Sequence, residues 1–160
     1  MYLAAPGLRA MKNKIPPPII LLLSAIAMWF VAHSEFAYPV AIPFALVVAI
    51  AVAAAGIFVA ASAIRQFSTA ETTVNPLQPE EATSLVDSGI FARTRNPMYV
   101  GLFLVLSAWA TWLQSMSNLL LLLAFVLYIT YLQIKPEEAA MRKVFGQAYT
   151  DYCKRVRRWI

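Results

Sequence analysis

The sequence predicts an all-α integral membrane protein, with about four transmembrane helices followed by a cytoplasmic amphipathic C-terminal helix. Three observations carry that expectation. Hydrophobic residues make up 61% of the 160 residues and charged residues only 13%, where soluble domains run near a quarter charged. The apolar residues come in four long runs, close to the roughly 17–25 residues that a membrane-crossing helix needs. Every Lys and Arg lies in one of three clusters, at alternate junctions between those runs. A chain of this length makes one domain.

Taken in order, residues 1–14 are a flexible, polar and basic lead. The first span runs from about Pro16 to Ala32. It opens on Pro16-Pro17-Pro18, prolines being tolerated where helix N–H groups have no partner. The second runs from Val40 to about Ile64, with Pro39 and Pro43 near its start. Its small-residue stretch Ala51-Val52-Ala53-Ala54-Ala55-Gly56 would let a neighbouring helix approach closely. Residues 15–67 thus hold the first two helices.

A cytoplasmic loop follows, from Ser68 to Asn96, long enough to mark function or disorder. It carries Thr72, Thr73, Asn75, Pro76 and Pro79, then Leu85-Val86 and Gly89-Ile90-Phe91. The apolar residues near its end predict that this part packs on something. The third span, Pro97 to Leu113, and the fourth, Leu119 to about Ile134, are joined by a short turn around Gln114–Asn118. Residues 97–134 are therefore a tight antiparallel hairpin.

Residues 135–160 form the cytoplasmic helix. Pro136 stands at its first helical position, Glu137 and Glu138 in its first turn, and Gly146 breaks or bends it. Beyond, Phe145, Tyr149, Tyr152, Val156 and Trp159 recur at spacings of 4, 3, 4 and 3, which sets them on one helical face. Lys154, Arg155, Arg157 and Arg158 surround that stripe. The pattern suits the membrane interface, or a lid over a site at the cytoplasmic end of the bundle.

The basic clusters set the orientation. Arg9, Lys12 and Lys14 precede the first span, Arg65, Arg93 and Arg95 lie between the second and third, and the other seven follow the fourth. The positive-inside rule puts both termini and the middle loop of a multi-pass protein in the cytoplasm; the expected location is a bacterial inner membrane. Both termini on one side require an even number of crossings. The net charge of +5 is accounted for by topology and the anionic inner leaflet, so no nucleic-acid partner is implied. The single Cys153 excludes an internal disulfide and a cysteine metal cluster. The first apolar run ends in His33-Ser34-Glu35, without a small-residue cleavage site, so it does not read as a signal peptide. His33 reads as an interfacial polar residue, and no metal site is expected.

Two constellations offer chemistry. The first is Arg93-Thr94-Arg95-Asn96-Pro97-Met98-Tyr99-Val100-Gly101. Structurally, Asn96 is an N-cap, Pro97 the first helical residue and the arginines mark the cytoplasmic end. Functionally, free N–H groups at a helix start beside two arginines make a site for a carboxylate or phosphate. Gly101, one turn in, leaves room for a ligand or a neighbouring backbone. The second is Glu137-Glu138. Structurally, the acids complement the helix dipole, and Glu138 can pair with Arg142 at i,i+4. Functionally, a carboxylate there can face the ammonium or ribose hydroxyls of a cofactor. Together they offer the partners of an amino-acid-bearing sulfonium: donors for its carboxylate, an acid for its ammonium and an aromatic slot for adenine.

The two motifs resemble the isoprenylcysteine carboxyl methyltransferase family, in the wider group that includes phospholipid N-methyltransferases. The family pattern Arg-His/Asn-Pro-x-Tyr-x-Gly is matched by Arg95-Asn96-Pro97-Met98-Tyr99-Val100-Gly101. Its later pattern is matched by Glu137-Glu138, Met141, Phe145-Gly146, Tyr149, Tyr152 and Val156. The similarity spans about residues 68–158. It implies an S-adenosyl-L-methionine pocket on the cytosolic side, roofed by the C-terminal helix. Arg95, Asn96, Pro97, Tyr99, Gly101, Glu137, Glu138, Tyr149 and Tyr152 would line it. A lipophilic or prenylated acceptor would enter sideways from the membrane lipids. Two positions depart: many eukaryotic members carry His at Asn96, and an Arg that orients the substrate carboxylate at Gln133. No residue is assigned a catalytic role.

The expected activity is methyl transfer to a small lipophilic acceptor. A phospholipid amine methyltransferase is the second enzyme reading, and a non-catalytic membrane scaffold of the same fold the third. A carboxylate or thiolate acceptor needs no base, and positioning supplies much of the acceleration.

Overall fold

The structure, a computed structural model, describes residues 15–70 and 83–160. The basic lead and the loop residues Thr72, Thr73, Asn75, Pro76 and Pro79 lie outside the described residues. The described chain is helical: α1 (Pro17–Ala32), α2 (Ala45–Thr69), a 3-10 turn (Gly89–Ala92), α3 (Pro97–Leu113), α4 (Asn118–Tyr128), a π-helical segment (Ile129–Ile134) and α5 (Lys135–Arg155).

α1 and α3 fall within one residue of their expected bounds, because each opens on proline at the start of an apolar run. α2 does not. It begins five residues later than expected and ends five later. The segment before it finds partners elsewhere: the Met116 N–H donates to the Tyr38 carbonyl (2.8 Å), and the Val40 N–H donates to the Gln114 carbonyl (2.8 Å). The Ile42 N–H donates to the Gln114 side-chain oxygen (3.1 Å). With its backbone satisfied against the α3–α4 turn, this stretch gains nothing by becoming helical. At the far end, α2 runs on through Arg65 and Gln66, and the Phe67 ring meets the Phe91 ring of the 3-10 turn at 4.8 Å.

The main core joins α1, α3 and α4 through Ile20, Met28, Leu106, Leu122, Phe125 and Ile129. α2 lies against α3 by a different device. A Cβ on Gly101 would come within 2.7 Å of the Gly56 carbonyl oxygen, and one on Gly56 within 2.8 Å of the Gly101 carbonyl oxygen. Two glycines therefore let the backbones touch, which is how helices associate where lipid is as apolar as the side chains. The outer face of α2 is left to Val47, Ile50, Ile57 and Phe58, all exposed.

Among the described residues two helices are long and apolar enough to cross a membrane: α2, with 25 residues, and the 38-residue rod from Asn118 to Arg155, whose apolar part ends near Ile134. α1 and α3 have 16 and 17 residues. At about 1.5 Å per residue they reach roughly 25 Å, short of a hydrocarbon core of about 30 Å. The expected four spans are thus two by length, with two shorter apolar helices beside them.

The expected break before Pro136 is absent. α4, the π segment and α5 form one continuous helix, and Ile134 and Lys135 keep helical dihedrals. Proline inside an α-helix lacks an N–H and clashes with the carbonyl four residues back. The π segment lies just before Pro136, where its wider turn relaxes that conflict. The real bend comes at Gly146 (φ 53°, ψ −122°), as the sequence indicated. α5 ends at Arg155, and Val156 is extended.

Candidate active site

α3 and the long helix carry the two sequence motifs to one place. The Tyr99 hydroxyl, two residues into α3, donates to Glu137 Oε1 at 2.5 Å. Arg95 Nη2 donates to Glu138 Oε1 at 2.8 Å. Glu138 has a second cation: Arg158 Nε donates to Oε1 (3.0 Å) and Nη2 to Oε2 (2.7 Å). Its carboxylate is buried, at 4% exposure, between side chains exposed by 9% for Arg95 and 32% for Arg158. The i,i+4 partner Arg142 is not used.

Neighbouring acids thus have opposite electrostatics. Burial pushes the Glu137 carboxyl up to about 8; the Tyr99 hydrogen bond works against that rise and the Glu138 charge adds to it. Burial alone would push Glu138 up as well. The hydrogen bonds from Arg158 and then Arg95 reverse this and hold it below the usual carboxylate range. Glu138 is a committed structural anion. Glu137 is half-buried, and its Oε2 carries no hydrogen bond among the described residues.

The Arg-Asn-Pro motif meets protein acceptors. Arg95 Nη1 donates to the carbonyls of Cys153 (3.0 Å) and Val156 (2.6 Å). The Arg95 backbone N–H donates to the Arg157 carbonyl at 3.0 Å. Thr94 Oγ1 donates to the Arg158 carbonyl (3.3 Å), and so does Asn96 Nδ2 (2.9 Å). Asn96 occupies the N-cap position of α3, but its side chain makes no capping bond; it reaches the chain's end instead. Pro97 is the first residue of α3 and fully buried. The space beside Gly101 is filled by Gly56 and Ala60 of α2. Of the two uses the sequence left open there, the neighbouring backbone takes it.

The aromatic stripe divides. Tyr149, Tyr152 and Val156 form a small buried cluster with Leu85, Met141 and Phe145. The Tyr152 hydroxyl donates to the Phe91 carbonyl at 2.8 Å. Burial pushes both tyrosine phenols up. Trp159 lies beyond the helix: its Nε1 donates to Thr130 Oγ1 (3.0 Å) and its ring meets Phe103 edge-on at 6.4 Å. Gln133 is buried in the π segment, with its amide donating to the Ile15 carbonyl at 2.9 Å.

Sequence reasoning missed Thr94 and Arg158 as site-forming residues. Arg158 sits among Arg155 and Arg157, and nothing local distinguishes it. A groove of about 420 Å³ beside α2, lined by Ser62, Arg65, Gln66, Thr69 and Ser88, shares no residue with this cluster. The Gln66 amide lies against Gly89, whose left-handed backbone (φ +56°) favours glycine there.

Comparison with known proteins bears on this geometry. A protein of Haemophilus influenzae described as an uncharacterized protein is 40% identical over 63 residues, which are 39% of this chain and the whole of that protein. A family model described as phospholipid methyltransferase matches residues 44–148, from α2 through the first motif and the Glu137-Glu138 pair to the bend in α5. With well over half its length so matched, the chain belongs to the phospholipid methyltransferase family, a group of membrane methyltransferases.

Proposed function

We propose that this protein transfers a methyl group from S-adenosyl-L-methionine to a lipophilic acceptor at the cytoplasmic end of the helices. The carrying observation is the Tyr99–Glu137 hydrogen bond, which joins the start of α3 to the start of α5. The residues suit the cofactor. Glu137 keeps one carboxylate oxygen open for an ammonium, and Arg95 Nε is a buried donor with no partner among the described residues. When bound, S-adenosylmethionine supplies a methyl carbon already activated by its sulfonium.

The chain's own residues then have defined work. Tyr99 orients the Glu137 carboxyl, and ionised Glu137 would hold the ammonium. The apolar helices exclude water and admit acceptor from the bilayer. We read the shorter α1 and α3 as spans as well, because the basic clusters alternate as a four-span, cytoplasmic-termini topology requires.

A specific observation favours a phospholipid amine, attacking as the free base once its ammonium proton has passed to water, over a prenylcysteine carboxylate as acceptor. Many eukaryotic members of the isoprenylcysteine carboxyl methyltransferase family, which the chain resembles, carry at the position of Gln133 an Arg that orients the substrate carboxylate. Here that side chain is buried on the Ile15 carbonyl, and both arginines at the cluster are drawn onto Glu138.

Titration calorimetry with S-adenosylhomocysteine in nanodiscs tests the reading; absence of measurable binding would overturn it. Because Glu137 titrates near 8, an ammonium must displace its proton. Affinity should rise with pH by up to about tenfold per unit toward pH 8, then level off. Glu137→Gln should weaken binding and flatten that profile. Labelled-methyl incorporation into phospholipid against prenylcysteine analogues separates the acceptors.

A further inference from the structure

The motif that the sequence offered as an anion site is occupied by the chain's own end. Thr94, Arg95 and Asn96 meet the carbonyls of Cys153, Val156, Arg157 and Arg158. The Cys153 carbonyl lies in the last turn of α5 and the other three follow it; at a helix C-terminus partial negative charge collects and a guanidinium is favoured. The same short tail puts the Arg158 fork onto both oxygens of Glu138. Two parallel bonds to a carboxylate fix its orientation as well as its position. One residue further, Trp159 is fastened to the apolar helices by Thr130 and Phe103.

Glu138 and Glu137 are consecutive on one helix, so an orientation imposed on one is imposed on the other. Apart from Arg158, the polar side-chain ties on this helical turn are the Tyr99–Glu137 bond and the Arg95–Glu138 pair, both at the start of α3.

We infer that residues 156–159 are a clasp seated in a socket made by Thr94, Arg95 and Asn96, and that Arg158 is a positioning residue which holds Glu137 toward the cofactor site. This rests on the functional reading above. Arg158 touches neither cofactor nor acceptor in that reading; it acts through Glu138. When the clasp opens, Glu138 keeps Arg95 alone, and the turn carrying Glu137 is free to pivot away from Tyr99.

The test uses full-length wild type, Arg158→Lys, Arg158→Met and Trp159→Ala in nanodiscs. Each is read by S-adenosylhomocysteine calorimetry and by amide hydrogen exchange across residues 94–99 and 137–141. Arg158→Met should weaken binding by about tenfold or more, and Arg158→Lys, one bond in place of a fork, should fall between it and wild type. Trp159→Ala should weaken binding without touching Glu138. Exchange in both segments should speed up in the order Lys, then Met. Binding within twofold of wild type in Arg158→Met and Trp159→Ala, with unchanged exchange, overturns the clasp. A misfolded Arg158→Met leaves Arg158→Lys and Trp159→Ala to decide by the same criteria. If wild type itself fails to bind, the functional reading fails, and the exchange data still judge the clasp.

Discussion

Along its apolar length α3 is held to α2 by shape, and at its N-terminal tip it is held to α5 by charge. The seam between α2 and α3 has no side-chain hydrogen bond; its backbones meet at Gly56 and Gly101 because no Cβ intervenes. The tip is the reverse, a buried carboxylate between two guanidiniums with five further bonds to the chain's end. Surrounded by lipid, apolar side chains give helices little reason to prefer one another, so close contact must supply the attraction. Once the helix leaves the apolar layer, a polar network can specify a single arrangement. The methyltransferase chemistry proposed above sits at the charged end, where orientation counts most.

Substitutions can break this contrast at graded strength. Glu138→Ala leaves Arg95 buried without its carboxylate and should cost about 3–5 kcal/mol, read by unfolding in mixed micelles. Gly101→Ala forces the α2 and α3 backbones apart and should cost about 1–3 kcal/mol. Combined with Gly56→Ala, it should fall short of the sum of the two, since both report one contact. Should Gly101→Ala prove the costlier of the first two, shape dominates at both ends and the contrast fails. Tyr152→Phe strips a hydrogen bond from the Phe91 carbonyl and should cost about 1 kcal/mol. Asp151→Asn removes the exposed charge pair with Lys154 and leaves an amide oxygen for the exposed Gln147 donor, and should leave the melting temperature unmoved.

Acidity separates the two regions more cleanly. The Glu138 carboxyl is held below its ordinary value. Its contribution is therefore complete above about pH 4.5 and is lost as pH falls further. Glu137 has the opposite sign. Its carboxyl is raised from 4.5 to about 8, so its contribution is complete below pH 4.5 and is lost as pH rises through 8. Stability of the unliganded protein should decline between those values, and Glu137→Gln should remove the decline. The glycine seam carries no titratable group, so Gly101→Ala should shift the whole stability–pH curve without changing its form.

Much of the fold was legible in the residues themselves. Pro97 and the apolar run after it fixed α3 to the residue, and Gly146 announced its bend. Those signals are local: a missing N–H, a missing Cβ. The start of α2 was not legible, because Tyr38, Val40 and Ile42 bond to Gln114 and Met116, more than seventy residues away. Pro136 misled for a similar reason, since a π segment absorbs what would ordinarily end a helix. At the site, the meeting of Tyr99 with the acidic pair was foreseen from the order of the motifs. The destination of Arg95 was not. Its partners are backbone carbonyls at the chain's end, and every residue has a carbonyl, so no sequence pattern marks them.

The π segment has a consequence for how the acids are aimed. In an α-helix each residue advances the chain by about 100°, whereas a wider π turn gives each residue a smaller angle, so the segment from Ile129 to Ile134 takes up one extra residue like a shim in a threaded joint. It keeps the acids in phase with the apolar rod although the chain between them carries one residue more. Deleting Leu132, which is exposed, would let the stretch revert to plain α geometry and leave Glu137 and Glu138 near their present bearing. Forcing all six residues into α geometry would instead turn both acids away from Tyr99 and Arg95 by about a quarter-turn.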